Sequence, residues 1–111
     1  MKSELMAWVV LSASVVSEVA GTVALRYSSG FTKLLPTALA GFCYVVAIWL
    51  MAVAMRQLEM GLTYAVWAAS GTAAIALVGI AFYGEPTSAL KLVGLSLVVL
   101  GVVLLNLGAK A

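Results

Sequence analysis

Between Lys33 and Arg56 the chain carries 22 residues without a charge, between Glu59 and Glu85 it carries 25, and between Lys91 and Lys110 it carries 18. A further run, Leu5 to Leu25, is 21 residues long and holds a single charge, Glu18. A helix needs about 17–25 apolar residues to cross a bilayer, and lipid admits only backbone whose polar groups are satisfied internally. The spacing of charges therefore predicts an all-α membrane protein with four transmembrane helices, at about 5–25, 34–55, 60–83 and 90–109, in a single domain over 1–111. Composition agrees: 9% of residues are charged, against about a quarter in a soluble domain.

The links between these runs are short, spanning 26–33, 56–59 and 84–90. They leave no room for a soluble domain, force neighbouring helices to run antiparallel, and confine any function to the membrane layer. Ser28-Ser29-Gly30 suits a turn, and Pro36 stands in the first turns of the second helix, where a missing N–H is tolerated. Gly84-Glu85-Pro86-Thr87 breaks the chain in the same manner before the fourth. Lys2 ahead of an apolar run is also the pattern of a cleaved signal peptide. The run continues past Glu18 to Leu25, and three similar segments follow, so it is read as a retained first helix.

Several chemistries are excluded by what the chain holds. Cys43 is the single cysteine and histidine is absent, so neither an internal disulfide nor a Cys/His metal site can form, and no cofactor is expected. No nucleophile–base pair is available, which argues against an enzyme. A net charge of +2, scattered along the chain, does not fit nucleic acid.

Glu18 is the anomaly. Insertion scales put an acidic residue near the centre of a membrane helix at about 2.5–3.5 kcal/mol. No basic side chain lies at comparable depth on any of the four predicted helices. The neutralising cation must then be a proton or an ion from outside the chain. A carboxylate that alternates between the two is a proton/cation exchanger in its smallest form. The plainer reading is a permanently protonated Glu bonding between helices, a task that Gln would serve better.

The residues around it fit a cavity. Ser14, Glu18 and Thr22 recur at four-residue spacing and share one helix face, although both hydroxyls could instead bond back to their own helix. Tyr64 and Trp67, three apart, share a face of the third helix, whereas Tyr44 and Trp49, five apart, cannot both line one cavity. Trp8 and Tyr83, near helix ends, read as interface anchors. Aromatic faces attract organic cations by about 0.5–2 kcal/mol each. Gly61, Ala65, Ala69 and Ala73 make a small-residue stripe suited to close helix packing, and Gly94, Gly101 and Gly108 make another. Four helices largely fill their own interior, so a site for a drug-sized cation calls for at least two chains.

The segments Glu18-Val19-Ala20-Gly21-Thr22, "RYSSGFTKLLP" (26–36), "GLTYAVWAASG" (61–71) and "VGLSLVVLGVVLLNL" (93–107) resemble the small multidrug resistance transporters, in register over nearly the whole chain. The resemblance implies a proton-coupled exporter of toxic cations in the bacterial inner membrane, working as an antiparallel homodimer. It implies Glu18 as the shared proton and substrate site, with Trp67, Tyr44 and Tyr64 as aromatic lining; Ser14 and Thr22, from the polar stripe, are expected to line substrate with them. Trp8 matches a position that is aromatic in some members, Gly61 matches the helix 3 kink, and Gly94 and Gly101 lie where helix 4 dimerises. Gly21-Thr22 resembles the exporters of quaternary ammonium compounds, since the guanidinium exporters commonly carry Trp there; a large indole beside the carboxylate would leave space only for a small planar ion, whereas Gly is expected to leave room for a bulky one. Gly84-Glu85-Pro86 resembles the guanidinium group instead. Export of hydrophobic or quaternary ammonium cations is thus the leading expectation and guanidinium export the alternative. A small assembly subunit, with Glu18 paired to a partner's basic residue, is the rival from another class.

The charges also address orientation. Lys2, Arg56 and Lys110 fall on one side of the membrane and Arg26, Lys33 and Lys91 on the other. Orientation follows the side richer in Lys and Arg, and three against three gives no such bias. The chain is expected to insert both ways, as an antiparallel pair requires. Adding two or three Lys to one side should trap one orientation and suppress transport, and co-expressing the oppositely biased variant should restore it. Terminal reporters that find the wild-type chain in a single orientation would contradict this.

Overall fold

The computed structural model describes residues 2–110, with side chains described over 4–109. Met1 and Ala111, which end the expected 1–111 domain, lie outside the described residues, as do the side chains of Lys2 and Lys110 that enter the charge count. Among the described residues the chain forms α1 (Lys2–Tyr27), α2 (Leu34–Ala54), α3 (Met60–Phe82) and α4 (Ala89–Lys110). Each is long and apolar enough to span a membrane. The helices pack as two compact units, Met1–Leu58 and Glu59–Ala111. Each unit is a helical hairpin, and the division falls in the link after α2. There the Arg56 and Gln57 N–H groups tighten onto the Val53 and Ala54 carbonyls at 3.1 Å and close the helix.

The first hairpin is held by a narrow seam. Ala7, Leu11, Ser14, Glu18, Gly21, Leu25 and Ser28 step along the chain by four and three residues in turn, the spacing that keeps one helix face against a partner. Ala7, Leu11, Ser14, Gly21 and Ser28 are buried, with Glu18 and Leu25 half-buried. The facing residues on α2 are Ala40, Ala47 and Ala54, seven apart and at most 1% exposed. Lipid supplies no hydrophobic drive between helices, so small residues that permit close backbone approach, with hydroxyls bonding across, hold such a seam together. Ser14 Oγ donates to the Ala47 carbonyl at 2.6 Å, and Ser17 Oγ donates to the Cys43 carbonyl at 2.7 Å.

The turn closing this hairpin is organised by buried Ser28. Its hydroxyl donates to the Leu25 carbonyl at 2.7 Å and accepts from the Phe31 N–H at 3.1 Å. Its carbonyl accepts from the Thr32 and Lys33 N–H groups at 2.9 and 3.1 Å. Between them Ser29, Gly30 and Phe31 all take left-handed backbone, with φ of 49°, 70° and 69°. Only the middle residue of the three does so without a Cβ penalty.

The second hairpin opens on Thr63, fully buried, whose hydroxyl and N–H both donate to the Glu59 carbonyl, at 2.7 and 2.9 Å. At the far end of α3, Gly84 turns left-handed (φ 66°), and the Tyr83 and Glu85 N–H groups both return to the Gly79 carbonyl at 3.1 Å. The Glu85 carboxyl then occupies the space where a side chain at position 79 would project. Ser88 opens α4 by accepting the Lys91 N–H at 3.2 Å, while the Lys91 ammonium donates to the Pro86 carbonyl. No described residue of α4 is buried. An open groove of about 310 Å³ separates Ala65, Ala68, Ala69 and Thr72 on α3 from Val98, Gly101, Val102 and Leu105 on α4.

The seam should be intolerant of bulk. Ala47→Leu forces side chain into a site with no room, and should destabilise the protein by about 1–3 kcal/mol. Ser14→Ala loses one interhelical bond and should cost less, about 0.6–1.7 kcal/mol. Unfolding of the purified protein in detergent would read both. Equal tolerance of the two would contradict the seam.

Candidate functional site

Glu18 sits in the middle of the α1–α2 seam, four residues after Ser14 and three before Gly21. Its Oε1 is buried, and no hydrogen-bond partner reaches it among the described residues. A buried polar group left unpaired costs about 1–3 kcal/mol, more when charged. The surrounding hydroxyls do not relieve it. Ser14 and Ser17 are committed to α2 carbonyls. Thr22 Oγ1 lies 3.0 Å from the Glu18 main-chain carbonyl, so its hydrogen also goes to backbone.

The three hydroxyl positions flanking the carboxylate thus divide. Ser14, expected to line substrate, is fully buried and serves as an interhelical clamp rather than bonding back to its own helix. Thr22 does bond back, as one expectation had it, and it also meets Tyr44 Oη at 2.5 Å. Tyr44 is therefore the α2 aromatic brought to the carboxylate's face of α1. Trp49 is 63% exposed, in keeping with the rule that only one of these two could serve.

Gly21 corrects a second expectation. A glycine beside the carboxylate was expected to leave room for a bulky ion. In the structure, a Cβ built at Gly21 falls 3.1 Å from Cys43 Cβ, 3.4 Å from the Ala40 carbonyl oxygen and 3.5 Å from Tyr44 Cδ2. The space is already filled by α2. Gly21 lets the helices close and the Tyr44 ring seat; it does not itself open a cavity.

In the second unit Trp67 is half-buried, and its Nε1 is buried without a hydrogen-bond partner among the described residues. Its ring pairs with Tyr64 at 5.8 Å between centroids and 37° between planes, as their three-residue spacing implied. Tyr64 is 55% exposed. Trp8, half-buried near the start of α1, accepts the Ser12 hydroxyl on its carbonyl at 2.9 Å. Gly61 is the second residue of α3, so a bend there would alter how the helix begins and would not divide it. Gly94 and Gly101 have nothing within 4 Å of a notional Cβ, leaving their face of α4 open.

Sequence reasoning passed over Ser17 and the α2 alanines. The signal was present in the four-and-three spacing through Glu18 and the seven-residue recurrence of Ala40, Ala47 and Ala54.

A carboxyl oxygen and an indole N–H, both buried and unpaired, stand at the two residues that the motifs singled out most strongly. Residues 6–98 match the family described as "Small Multidrug Resistance protein". The chain belongs to the small multidrug resistance family. Its relatives in that family include the nicotine metabolites export pump subunit NepA of Paenarthrobacter nicotinovorans, 42% identical over 92% of this chain and 88% of the relative. The quaternary ammonium compound-resistance protein QacE of Escherichia coli is 38% identical over 94% of each chain. The guanidinium exporter of Escherichia coli K12 is 36% identical over 92% of this chain and 97% of the relative. Four apolar spans and bacterial relatives of matching length make this small multidrug resistance protein a multi-pass protein of the bacterial inner membrane.

Proposed function

We propose that the chain is a proton-coupled exporter of hydrophobic or quaternary ammonium cations, working as an antiparallel homodimer in which Glu18 holds a proton and a cation in turn. The observation that carries this reading is the Glu18 Oε1 atom, buried mid-seam with no partner supplied by the described residues. A proton or an organic cation satisfies it, and the two exclude each other. The relatives support the coarser part of the reading, since they are named as exporters and resistance proteins.

Trp67 is assigned to the cation's aromatic contact and Tyr64, paired with it, to the same wall. Trp67 Nε1 is a donor without an acceptor, and Glu18 Oε1 is an acceptor without a donor. The proposed antiparallel homodimer brings a second copy of each of these groups to the site. In such a dimer two Glu18 side chains share one site and titrate as a coupled pair. Two copies in opposite orientation would then exchange inward- and outward-facing roles, as inverted repeats do within larger transporters.

Guanidinium export is the second reading. It is favoured by Gly84-Glu85-Pro86 and by an identity to the guanidinium exporter close to that with QacE. The packing of Gly21 against α2 removes one argument for the bulkier ions, so substrate choice falls to the aromatic wall.

Linkage requires that protons lower cation affinity by the factor by which the cation lowers proton affinity. Binding of tetraphenylphosphonium to the purified protein should therefore weaken as pH falls. Glu18→Gln should abolish that dependence and coupled transport while leaving the protein folded. Trp67→Ala should weaken tetraphenylphosphonium by about 1–2 kcal/mol and guanidinium less. Proton-coupled transport by Glu18→Gln would overturn the assignment, and transport of guanidinium alone would favour the second reading.

A further inference from the structure

The three links between the helices differ in charge. The second holds Arg56 and Glu59, and the third holds Glu85 with Lys91 just beyond it. The first holds Arg26 and Lys33, and no acidic residue stands anywhere between Glu18 and Glu59. Of the three, only this link carries a net charge. Arg26 lies in the last turn of α1, Lys33 is the residue from which α2 starts, and both are exposed.

The same turn shows an apolar surface. Tyr27, Phe31, Leu34 and Leu35 are each more than half exposed. Phe31 takes a φ of 69°, a backbone region that bulky side chains rarely adopt. Its ring is 66% exposed, so packing within the chain does not offset the cost of that conformation. The polar groups of the turn point inward instead. The Ser28 carbonyl accepts the Thr32 and Lys33 N–H groups, the Ser28 hydroxyl accepts the Phe31 N–H, and the Thr32 hydroxyl donates to the Ser29 carbonyl at 2.9 Å. Lipid penalises unpaired backbone groups, so a turn with these groups already paired can lie at the edge of the hydrocarbon layer. Exposed aromatic side chains favour that depth.

We infer that the α1–α2 turn is a docking surface for an anionic phospholipid, with Phe31, Leu34 and Leu35 against the acyl chains and Arg26 and Lys33 flanking a negatively charged headgroup. The inference needs only the membrane-spanning fold and stands apart from the assignment of Glu18. Charge complementarity selects the occupant. Any lipid offers the apolar contact, but a zwitterionic headgroup brings a further positive charge to two cations. An anionic headgroup brings only the charge that Lys and Arg attract at a membrane surface.

Native mass spectrometry of the full chain in uncharged detergent tests this, with dioctanoyl phosphatidylglycerol and dioctanoyl phosphatidylcholine offered in equal amounts. The acyl chains are identical, so only the headgroup is compared. The wild-type chain should retain the phosphatidylglycerol about tenfold more strongly. Lys33→Gln should lower that preference about fivefold, the effect of one basic side chain at an anionic surface, and Lys33→Arg should keep it. Arg56→Gln, in a link that holds its own acid, should leave it within about twofold. Phe31→Ser should weaken both lipids and leave their ratio unchanged. Glycerol phosphate at the same concentration should not displace the lipid. In vesicles of acyl-brominated phosphatidylglycerol, Phe31→Trp should add a quenched emission to that of the three native tryptophans. Equal retention of the two lipids by the wild-type chain, or equal falls in Lys33→Gln and Arg56→Gln, would overturn the inference. So would displacement by glycerol phosphate, the mark of a small-anion site, or an unquenched Phe31→Trp, the mark of another protein chain covering this end.

Discussion

A carboxyl group placed between two membrane helices has nowhere to send its charge. Water is absent from the hydrocarbon layer, and none of the six Lys and Arg residues lies inside the apolar runs. The hydroxyls nearest Glu18 along α1 all give their hydrogens to backbone carbonyls. That last fact shapes the site most. Had Ser14, Ser17 or Thr22 turned its hydrogen to the carboxyl, Glu18 would be an ordinary satisfied polar residue. Because each is occupied elsewhere, the carboxyl oxygen stays available to something that arrives from outside.

The same economy of small residues that holds the seam also positions the site. Ala40, Ala47 and Ala54 let α2 come close enough for Ser14 and Ser17 to reach its carbonyls, and Gly21 admits the Tyr44 ring. Side-chain hydrogen bonds between membrane helices average only about 0.6 kcal/mol, so the seam depends on close packing with the bonds fixing its register. The second hairpin is built differently. Gly79 gives its side-chain space to the Glu85 carboxyl, and an open groove lies between the small faces of α3 and α4. One hairpin is tightly closed around the ionisable residue; the other leaves apolar surface uncovered.

Much of this was legible in the sequence, for reasons that differ by residue. The four spans follow from charge spacing, which records where a chain cannot meet lipid. Glu18 was visible because a charge in hydrocarbon needs a reason. The Tyr64–Trp67 pair and the separation of Tyr44 from Trp49 follow from the angle between helical positions, a property of one helix alone. Ser14 and Gly21 were harder because their roles depend on what faces them. Periodicity puts Ser14 on the face of Glu18, yet only the position of α2 decides that its hydrogen crosses to Ala47. A glycine in sequence is an absence of side chain; whether that opens a cavity or admits a neighbour is settled by the partner helix, here Cys43 and Tyr44.

The central claim is that one carboxyl is claimed alternately by a proton and a cation, and proton release on binding tests it most directly. Purified protein in weakly buffered detergent solution would be saturated with tetraphenylphosphonium while a pH indicator counts the protons set free. Alternation at Glu18 predicts protons released in step with cation bound, falling away at high pH where the carboxyl is already ionised and absent in Glu18→Gln. A cation that binds with unchanging affinity from acid to alkaline pH, displacing no protons, would contradict it.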